Sequence, residues 1–195
     1  MKLPEIIIDT RNSNSLMRTF VAVEIQNENL LNSIAKLQSD FKIKATAVNK
    51  QNMHFTLLFL GEIKDETSEN VKQALSAISF KPIEVRFNHL GAFPNAKFPR
   101  VIWIGVDEIA SKQLIELASQ VEKSLSPLGF RADKPFRPHL TIFRIKNNIE
   151  DISKILDKFG TADLGKDMIM ELKLKKSILT PNGPIYSDLQ VISAH

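Results

Sequence analysis

Apolar and polar residues follow one another along the chain in two different periods, and these predict an alternating series of strands and helices. Some segments are short runs of β-branched and aromatic residues, or alternate strictly between apolar and polar positions, which is typical of strands. Others repeat an apolar residue every three or four positions, as one face of a helix does. The strands are predicted at residues 19–25, 53–60, 83–88, 101–106, 138–145, 169–179 and 185–192. The helices are predicted at residues 28–41, 66–78, 114–125 and 152–159.

The order of these elements occurs twice. A strand, a helix, a strand bearing the phrase His-x-Thr and a second helix occupy residues 19–78, and the same order returns over residues 101–159. This repeat predicts an α+β fold of two lobes related by a pseudo-twofold axis, each lobe an antiparallel sheet covered by helices. The active cleft is then expected between the lobes. Because no flexible linker separates them, residues 17–195 are expected to form a single bilobal domain.

Residues 1–16 precede the repeat as an N-terminal leader. They contain three isoleucines at positions 6–8 and a polar stretch at positions 12–15 that is typical of a loop. The leader is consistent with an extra strand, a mobile tail or a start-codon artefact, and the sequence leaves these alternatives open.

Two of the four histidines stand in the same phrase, His54-x-Thr56 and His139-x-Thr141. Side chains two residues apart on a strand point to the same face, so each imidazole is expected beside a threonine hydroxyl on a rigid support. Near neutral pH one imidazole can donate a proton while another accepts one. Threonine hydroxyls can hydrogen-bond the non-bridging oxygens of a phosphodiester. With the imidazoles roughly 6–9 Å apart across a cleft, the two pairs suit cleavage of a cyclic phosphate without a metal or a covalent intermediate.

Other interpretations of the histidines compete with this one. A single His-x-Thr phrase is more often structural than catalytic, and a duplicated but inactive sheet could keep both phrases for packing. Two histidines could also bind zinc, but neither phrase contains a third ligand. The remaining histidines, His89 and His195, are expected at a surface strand end and in a disordered terminus.

Composition and charge exclude several classes. The chain has no cysteine, which excludes a disulfide scaffold, Cys-ligated zinc and a thiol nucleophile, and it has no Gly-x-Ser-x-Gly or P-loop pattern. No cofactor or metal is therefore expected. No run of about 18 apolar residues predicts a membrane span, and no secretory apolar region is present, so a cytoplasmic location is expected. The net charge of +4 suits an anionic partner such as RNA but is equally ordinary for a soluble domain.

The two His-x-Thr phrases stand within longer signatures. The first reads HFTLLFLGE at 54–62 and the second FRPHLTIFR at 136–144. Further stretches are RTFVAV from residue 18, GAFP from 91, PRVIWIGV from 99 and SILTPNGPIY from 177. From about residue 17 to its end, the chain therefore resembles the two-histidine phosphoesterase superfamily. Within it, the chain is most similar to the bacterial and archaeal RNA 2′,3′-cyclic phosphodiesterases, historically called 2′-5′ RNA ligases.

The resemblance implies a bilobal α+β fold with its cleft between two antiparallel sheets. It implies hydrolysis of terminal RNA 2′,3′-cyclic phosphates to 2′-phosphates, with His54 as proton donor to the leaving 3′-oxygen and His139 as the acceptor that activates water. Thr56 and Thr141 would hold the phosphate. Some relatives also join RNA ends through a 2′-5′ bond. The implied partner is an RNA end with a cyclic phosphate, no obligate protein partner is indicated, and a monomer is expected.

Arg144 closes the second signature and is a supporting candidate for substrate binding. Strict alternation places it on the opposite face from His139 and Thr141, so it reaches the phosphate only if the strand ends or bulges there. The sequence also departs from the family pattern just before it, where Phe143 stands in place of a small residue.

Basic and aromatic residues near the signatures extend the candidate site. The basic residues are either contacts to the RNA backbone or solvated loop side chains, and they are Lys42, Lys44, Lys50, Lys134 and Arg137. Phe93 or Phe136 either stacks on a terminal base or belongs to the core.

The sequence thus predicts a metal-independent cyclic phosphodiesterase acting on RNA ends. One competing hypothesis is a non-catalytic RNA-binding module on the same scaffold. Another is a phosphodiesterase acting on small cyclic nucleotides or on 2′-5′ linked oligonucleotides. An enzyme needs both histidines, whereas RNA binding alone would survive the loss of either imidazole and depend on the lysines and arginines.

Overall fold

The structure, a computed structural model, describes residues 16–146, 150–159, 163–181 and 183–195. The strand considered for residues 6–8 of the leader lies outside these ranges. The strands are β1 (Met17–Glu24), β2 (Thr46–Ala47), β3 (His54–Ile63), β4 (Ile83–Phe93), β5 (Val101–Val106), β6 (Leu140–Arg144), β7 (Gly165–Ile169), β8 (Glu171–Thr180) and β9 (Gly183–Ser193). The α-helices are α1 (Glu28–Asp40), α2 (Asp65–Leu75), α3 (Glu108–Leu125) and α4 (Ser153–Phe159).

Helices α1 and α3 each begin at a residue whose side chain caps the helix. The Asn27 side chain accepts a hydrogen bond from the backbone N–H of Leu30 at 3.1 Å, and α1 follows it. Asp107 caps α3 in the same way, accepting from the N–H groups of Ile109 and Ala110 at 2.9 and 3.0 Å. Behind these caps, apolar residues at helical spacing are buried against the sheets, as the periodicity predicts.

The strands form two antiparallel sheets. The first has the order β3-β1-β8-β9 and the second the order β2-β6-β5-β4-β7. The prediction of an α+β fold with two antiparallel sheets is confirmed. The halves are also interlaced, because β4 follows the first repeat but lies in the second sheet, while β8 follows the second repeat and lies in the first. Each sheet therefore contains strands from the other half of the chain, β8 and β9 in the first sheet and β2 and β4 in the second.

The strand predicted at residues 169–179 is in fact two strands. The chain leaves the second sheet at the end of β7 and enters the first at the start of β8, so only Met170 separates them. Asp167 holds this crossing, because its carboxylate accepts hydrogen bonds from the backbone N–H groups of Gln26 and Asn27 at 2.7 and 3.1 Å. Two smaller differences are the short β2, which was not predicted, and β4, which continues past the predicted end at residue 88 to Phe93.

The core joins the two sheets. Phe55 on β3 and Phe87 on β4 are fully buried and stack with ring centroids 5.9 Å apart. Because Phe55 faces this core, His54 and Thr56 on either side of it face away, as alternation predicts. The side of β3 that carries the candidate chemistry is therefore backed by a rigid apolar layer.

Candidate active site

A β-bulge follows Thr56 in β3. One step along β1, from Val21 to Ala22, corresponds to two steps along β3, from Leu58 to Thr56. The extra residue, Leu57, and its neighbour Leu58 are both buried. Such a bulge shifts every later side chain to the opposite face of the strand.

The second repeat has a bulge at the equivalent place. One step along β5, from Ile102 to Trp103, corresponds to two steps along β6, from Phe143 to Thr141. Here the extra residue is Ile142, and it and Phe143 are both buried. The internal repeat thus extends from the His-x-Thr phrase to the backbone irregularity one residue after it.

The bulges bring the third residue after each threonine back to the face that carries the histidine. In β6 this residue is Arg144, which strict alternation placed on the other face. The condition stated for Arg144 is met, since the strand bulges and the side chain lines the same cleft as His139 and Thr141. In β3 the equivalent residue is Phe59, which sequence reasoning did not single out.

All five predicted site residues line one cleft of about 250 Å³. They are His54, Thr56, His139, Thr141 and Arg144. The first pair lies at the start of β3 in the first sheet, and the second lies at the start of β6 in the second sheet. The cleft is completed by Thr46, Ala47, Val48, Asn49, Asn52, Phe59, Val101, Gly183, Pro184 and Tyr186.

Both imidazoles are oriented by the same type of hydrogen bond. His54 Nδ1 lies 2.7 Å from the carbonyl oxygen of Asn52, and His139 Nδ1 lies 2.6 Å from that of Arg137. A carbonyl oxygen only accepts, so Nδ1 carries the hydrogen in each ring. The Nε2 atom of each neutral imidazole is therefore an acceptor of protons, and it becomes a donor when the ring is protonated.

The surroundings of His54 are more enclosed. Its ring lies 5.0 Å from that of Phe20 and meets Tyr186 edge-on at 5.3 Å, measured between centroids. Its Nε2 accepts a hydrogen bond from the Thr56 hydroxyl at 3.0 Å. His139 instead meets Phe93 edge-on at 5.1 Å, with Trp103 6.3 Å away.

Burial lowers the pKa of both histidines. It lowers the pKa of His54 from 6.5 to about 4, and the hydrogen bond to Asn52 and the charge of Glu24 oppose this only in part. Burial also lowers the pKa of His139, and the positive charge of Arg144 acts in the same direction on both rings. At pH 7 both imidazoles are therefore neutral in the free protein. An anion bound between them raises both pKa values, because it favours the charged form.

A buried ionic cluster lies in the first sheet beside His54. Lys173 and Lys175 are only 9% and 4% exposed, and both form ion pairs with Glu24 and Asp188. Burial alone would lower the pKa of Lys173, but the hydrogen bonds and charge of Glu24, helped by Asp188, raise it. Glu24 is the cross-strand partner of His54, so this cluster fixes the charge environment of one histidine.

The remaining candidate residues divide into two groups. Lys42, Lys44 and Lys50 do not line the cleft. The others line a second cavity beside it, and they are Phe93, Lys134, Phe136 and Arg137.

The two spare histidines also have defined places. His89 is exposed as expected, but it lies inside β4 and packs edge-on against Trp103. The prediction that His195 is disordered is wrong, since its backbone N–H donates to the carbonyl of Phe80 and its ring hydrogen-bonds the Ser79 hydroxyl.

The described residues contain neither a candidate metal cluster nor a candidate membrane-spanning helix. Within residues 16–146, 150–159, 163–181 and 183–195, no three His, Asp or Glu side chains lie close enough together to hold a metal ion. None of the helices in the same ranges is both long and apolar enough to cross a membrane.

Comparison with known proteins gives the class and the family to which this chain belongs. The LigT-like phosphoesterase family matches the chain twice, over residues 23–103 and 104–186, one match for each repeat. An RNA 2′,3′-cyclic phosphodiesterase of Archaeoglobus fulgidus is 41% identical to this chain, and the alignment covers 90% of this chain and 99% of that enzyme. The enzyme of the same name from Methanocaldococcus jannaschii is 40% identical to this chain, and the alignment covers 87% of this chain and 96% of that enzyme.

Solved structures agree on the fold. The apo form of Escherichia coli LigT superposes with a TM-score of 0.76 at 21% identity, covering 92% of this chain and 98% of that one. The chain belongs to the LigT-like phosphoesterase family and is an enzyme of this class.

Proposed function

We propose that the protein hydrolyses RNA 2′,3′-cyclic phosphate ends to 2′-phosphomonoesters by paired histidine acid–base catalysis without a metal. The observation that carries this proposal is the duplicated geometry, in which each Nδ1 donates to the carbonyl of the residue two positions earlier while each ring lines the shared cleft. The names of the A. fulgidus and M. jannaschii relatives support the choice of RNA cyclic phosphate as substrate.

The reaction needs one neutral and one protonated imidazole. The neutral Nε2 accepts a proton from water as the water attacks phosphorus, and the protonated Nε2 donates to the leaving 3′-oxygen on the opposite side. The sequence resemblance assigns donation to His54 and acceptance to His139. Because burial lowers the pKa of His54 to about 4, the negative phosphate is what keeps a proton on this ring in the complex.

The other site residues stabilise charge on the phosphate. The hydroxyls of Thr56 and Thr141 can donate to the non-bridging oxygens, which gain negative charge in the transition state. Before substrate binds, the Thr56 hydroxyl donates to His54 Nε2, so the phosphate must take over this hydrogen bond. Arg144 adds a fixed positive charge at the same cleft. These groups supply the stabilisation for which other phosphoesterases use metal ions.

The test is hydrolysis of a short RNA with a 2′,3′-cyclic phosphate end, in EDTA, by the wild type and by His54→Ala and His139→Ala. We expect turnover by the wild type and its loss in both variants. His89→Ala is the matched control, because His89 is an exposed imidazole that does not line the cleft. Turnover that survives either cleft substitution would refute the paired mechanism, and the same incubation with a 5′-hydroxyl RNA detects 2′-5′ joining.

The remaining parts of the proposal concern the setting of the reaction. We propose a cytoplasmic enzyme that acts as a monomer on RNA ends, without an obligate protein partner or cofactor. Sedimentation of the active protein at a single mass of 22.0 kDa would support the monomer, and activity restricted to a heavier species would contradict it.

A further inference from the structure

A glutamine interrupts the apolar face of α1. Leu31 and Ile34 are buried on this helix, and continuing their spacing leads to residue 38 on the same face. Gln38 stands there and is half-buried. Because polar groups that are removed from water are normally hydrogen-bonded, the partners of this side chain indicate its role.

The carboxamide of Gln38 donates two hydrogen bonds. Its Nε2 lies 2.8 Å from the carbonyl oxygen of Ile142 and 3.0 Å from that of Val48. Carbonyl oxygens only accept, so the place between them requires a donor with two hydrogens, which the amide NH₂ group supplies. Gln38 and Ile142 are 104 positions apart, so the first helix of one repeat is tied to the signature strand of the other.

Ile142 is the extra residue of the β6 bulge, and its carbonyl is held from two directions. It accepts from Gln38 Nε2 and also from the backbone N–H of Val48 at 2.9 Å. Val48 directly follows β2, a strand of only two residues that pairs with β6 through Thr46 and Arg144. Gln38 therefore adds a side-chain hydrogen bond at the bulge, where the backbone pairing with β2 is short.

The bulge decides to which side of β6 the Arg144 side chain belongs. Without the extra residue, alternation would turn Arg144 away from the face that carries His139 and Thr141. His139 and Thr141 precede the bulge, so they keep their face in either case. Loss of the bulge would thus remove a positive charge from the cleft and leave the imidazole and the hydroxyl in place.

We propose that Gln38 is a positioning residue for Arg144, because its hydrogen bond to the Ile142 carbonyl maintains the bulge that keeps the arginine in the catalytic cleft. Gln38 is not among the residues that line the cleft, so it acts through Arg144 and not on the phosphate. The kinetic test of this inference rests on the proposed function, and a titration in the free protein tests it independently.

The kinetic experiment is a double-mutant cycle between Gln38→Met and Arg144→Gln, with kcat measured on an RNA ending in a 2′,3′-cyclic phosphate. Methionine keeps the length of the side chain and removes the donor. Gln38→Met should lower kcat by about fivefold to tenfold in the wild-type background, because the arginine charge leaves the cleft. In the Arg144→Gln background the same change should cost less than about twofold. Equal losses in both backgrounds would show that Gln38 does not act through Arg144 and would overturn the inference.

Gln190→Met is the matched control for a general loss of stability. Gln190 is also half-buried, its Nε2 donates to the Ser76 hydroxyl at 2.7 Å, and it lines neither the cleft nor the neighbouring cavity. This variant should keep the wild-type kcat although it also loses a side-chain hydrogen bond. If Gln190→Met and Gln38→Met lower kcat equally, the effect is one of stability and the inference is wrong.

NMR titration of the histidines separates the inference from the proposed function, because it needs no turnover. The charge of Arg144 lowers the pKa of His54 and of His139. Both pKa values should therefore rise in Gln38→Met, as in Arg144→Gln, and should rise no further in the double variant. If the wild type does not cleave the RNA, the proposed function fails and this titration still decides the inference. Unchanged pKa values in Gln38→Met would show that Arg144 stays in the cleft without Gln38, which would refute the inference.

Discussion

The cleft consists of two half-sites, one containing His54 and Thr56 and the other His139 and Thr141. Their backbone arrangement is the same, but the side chains that surround them differ. In both, a histidine Nδ1 hydrogen-bonds the carbonyl two residues earlier, and a bulge follows the threonine. His54, however, is enclosed by Phe20 and Tyr186, whereas His139 is less buried and lies beside Phe93. The bulges also present different side chains, Phe59 on one side and Arg144 on the other.

This comparison separates geometry from electrostatics. The same backbone structure occurs twice, and each copy orients one imidazole into the shared cleft. The proposed acid–base catalysis, however, needs two groups that hold their protons differently, and a symmetric site would not provide this difference. The unequal burial and the unequal positions of Glu24, Lys175 and Arg144 supply it.

The largest expected effect is the loss of kcat when a histidine is removed, and it shows whether the two half-sites act as one unit. His54→Ala and His139→Ala should each lower kcat about 10³-fold. The double variant should be little slower than either single variant, because loss of one proton carrier already disables the pair. Single-turnover rates measure this, and multiplicative losses in the double variant would show that the histidines act independently.

The ionic cluster tests the half that contains His54. Lys175→Met leaves Glu24 and Asp188 with Lys173 as their remaining buried partner, and should lower the free energy of unfolding by about 3 kcal/mol. Because the charge of Lys175 lowers the pKa of His54, that pKa should also rise in the variant. Urea unfolding and NMR titration measure the two effects. An unchanged His54 pKa would show that the ionic cluster does not influence the protonation of His54.

The pH dependence of stability tests the burial of His54. The pKa of His54 is about 4 in the folded protein, and its ordinary value of 6.5 applies in the unfolded chain. Between pH 4 and pH 6.5 the unfolded chain therefore takes up a proton that the folded protein does not. The free energy of unfolding should therefore fall as the pH drops from 6.5 to 4, by roughly 3 kcal/mol from this group. His54→Gln should remove that contribution and His89→Gln should retain it. Equal pH dependence in both variants would contradict the assignment.

Arg144 provides the smallest expected effect, and it is a single residue whose charge acts on both histidines. Arg144→Gln should lower kcat roughly tenfold to a hundredfold, because a fixed positive charge near the phosphate is lost. It should also raise the pKa of His54 and of His139, since its charge lowers both. Arg86→Gln, a change at an exposed arginine paired with Asp163, is the control. A shift confined to His139 would show that Arg144 serves one half-site alone.

The sequence predicts the parts of the site that depend on local periodicity. His54, Thr56, His139 and Thr141 come from alternation and from the duplicated order of elements, and the structure brings all four to one cleft. The bulges leave a weaker signal, the adjacent apolar pairs at 57–58 and 142–143, which interrupt strict alternation. Phe59 was missed because its place on the cleft face depends on this interruption.

Features that depend on residues far apart in the sequence could not be predicted from local periodicity. The pairing of Lys173 with Glu24 joins residues 149 positions apart, and nothing local marks it. The division between β7 and β8 falls within the run Met168, Ile169, Met170, where hydrophobicity continues while the chain changes sheets. Tertiary pairing decides both features, and local pattern does not record it.

The most direct test of the central claim is the identity of the product formed without metal. The wild-type protein, in excess EDTA, is incubated with an RNA ending in a 2′,3′-cyclic phosphate, and the position of the product phosphate is read by ³¹P NMR. The account predicts a 2′-phosphomonoester formed at the same rate with and without EDTA. A 3′-phosphomonoester, or turnover that disappears in EDTA, would contradict it.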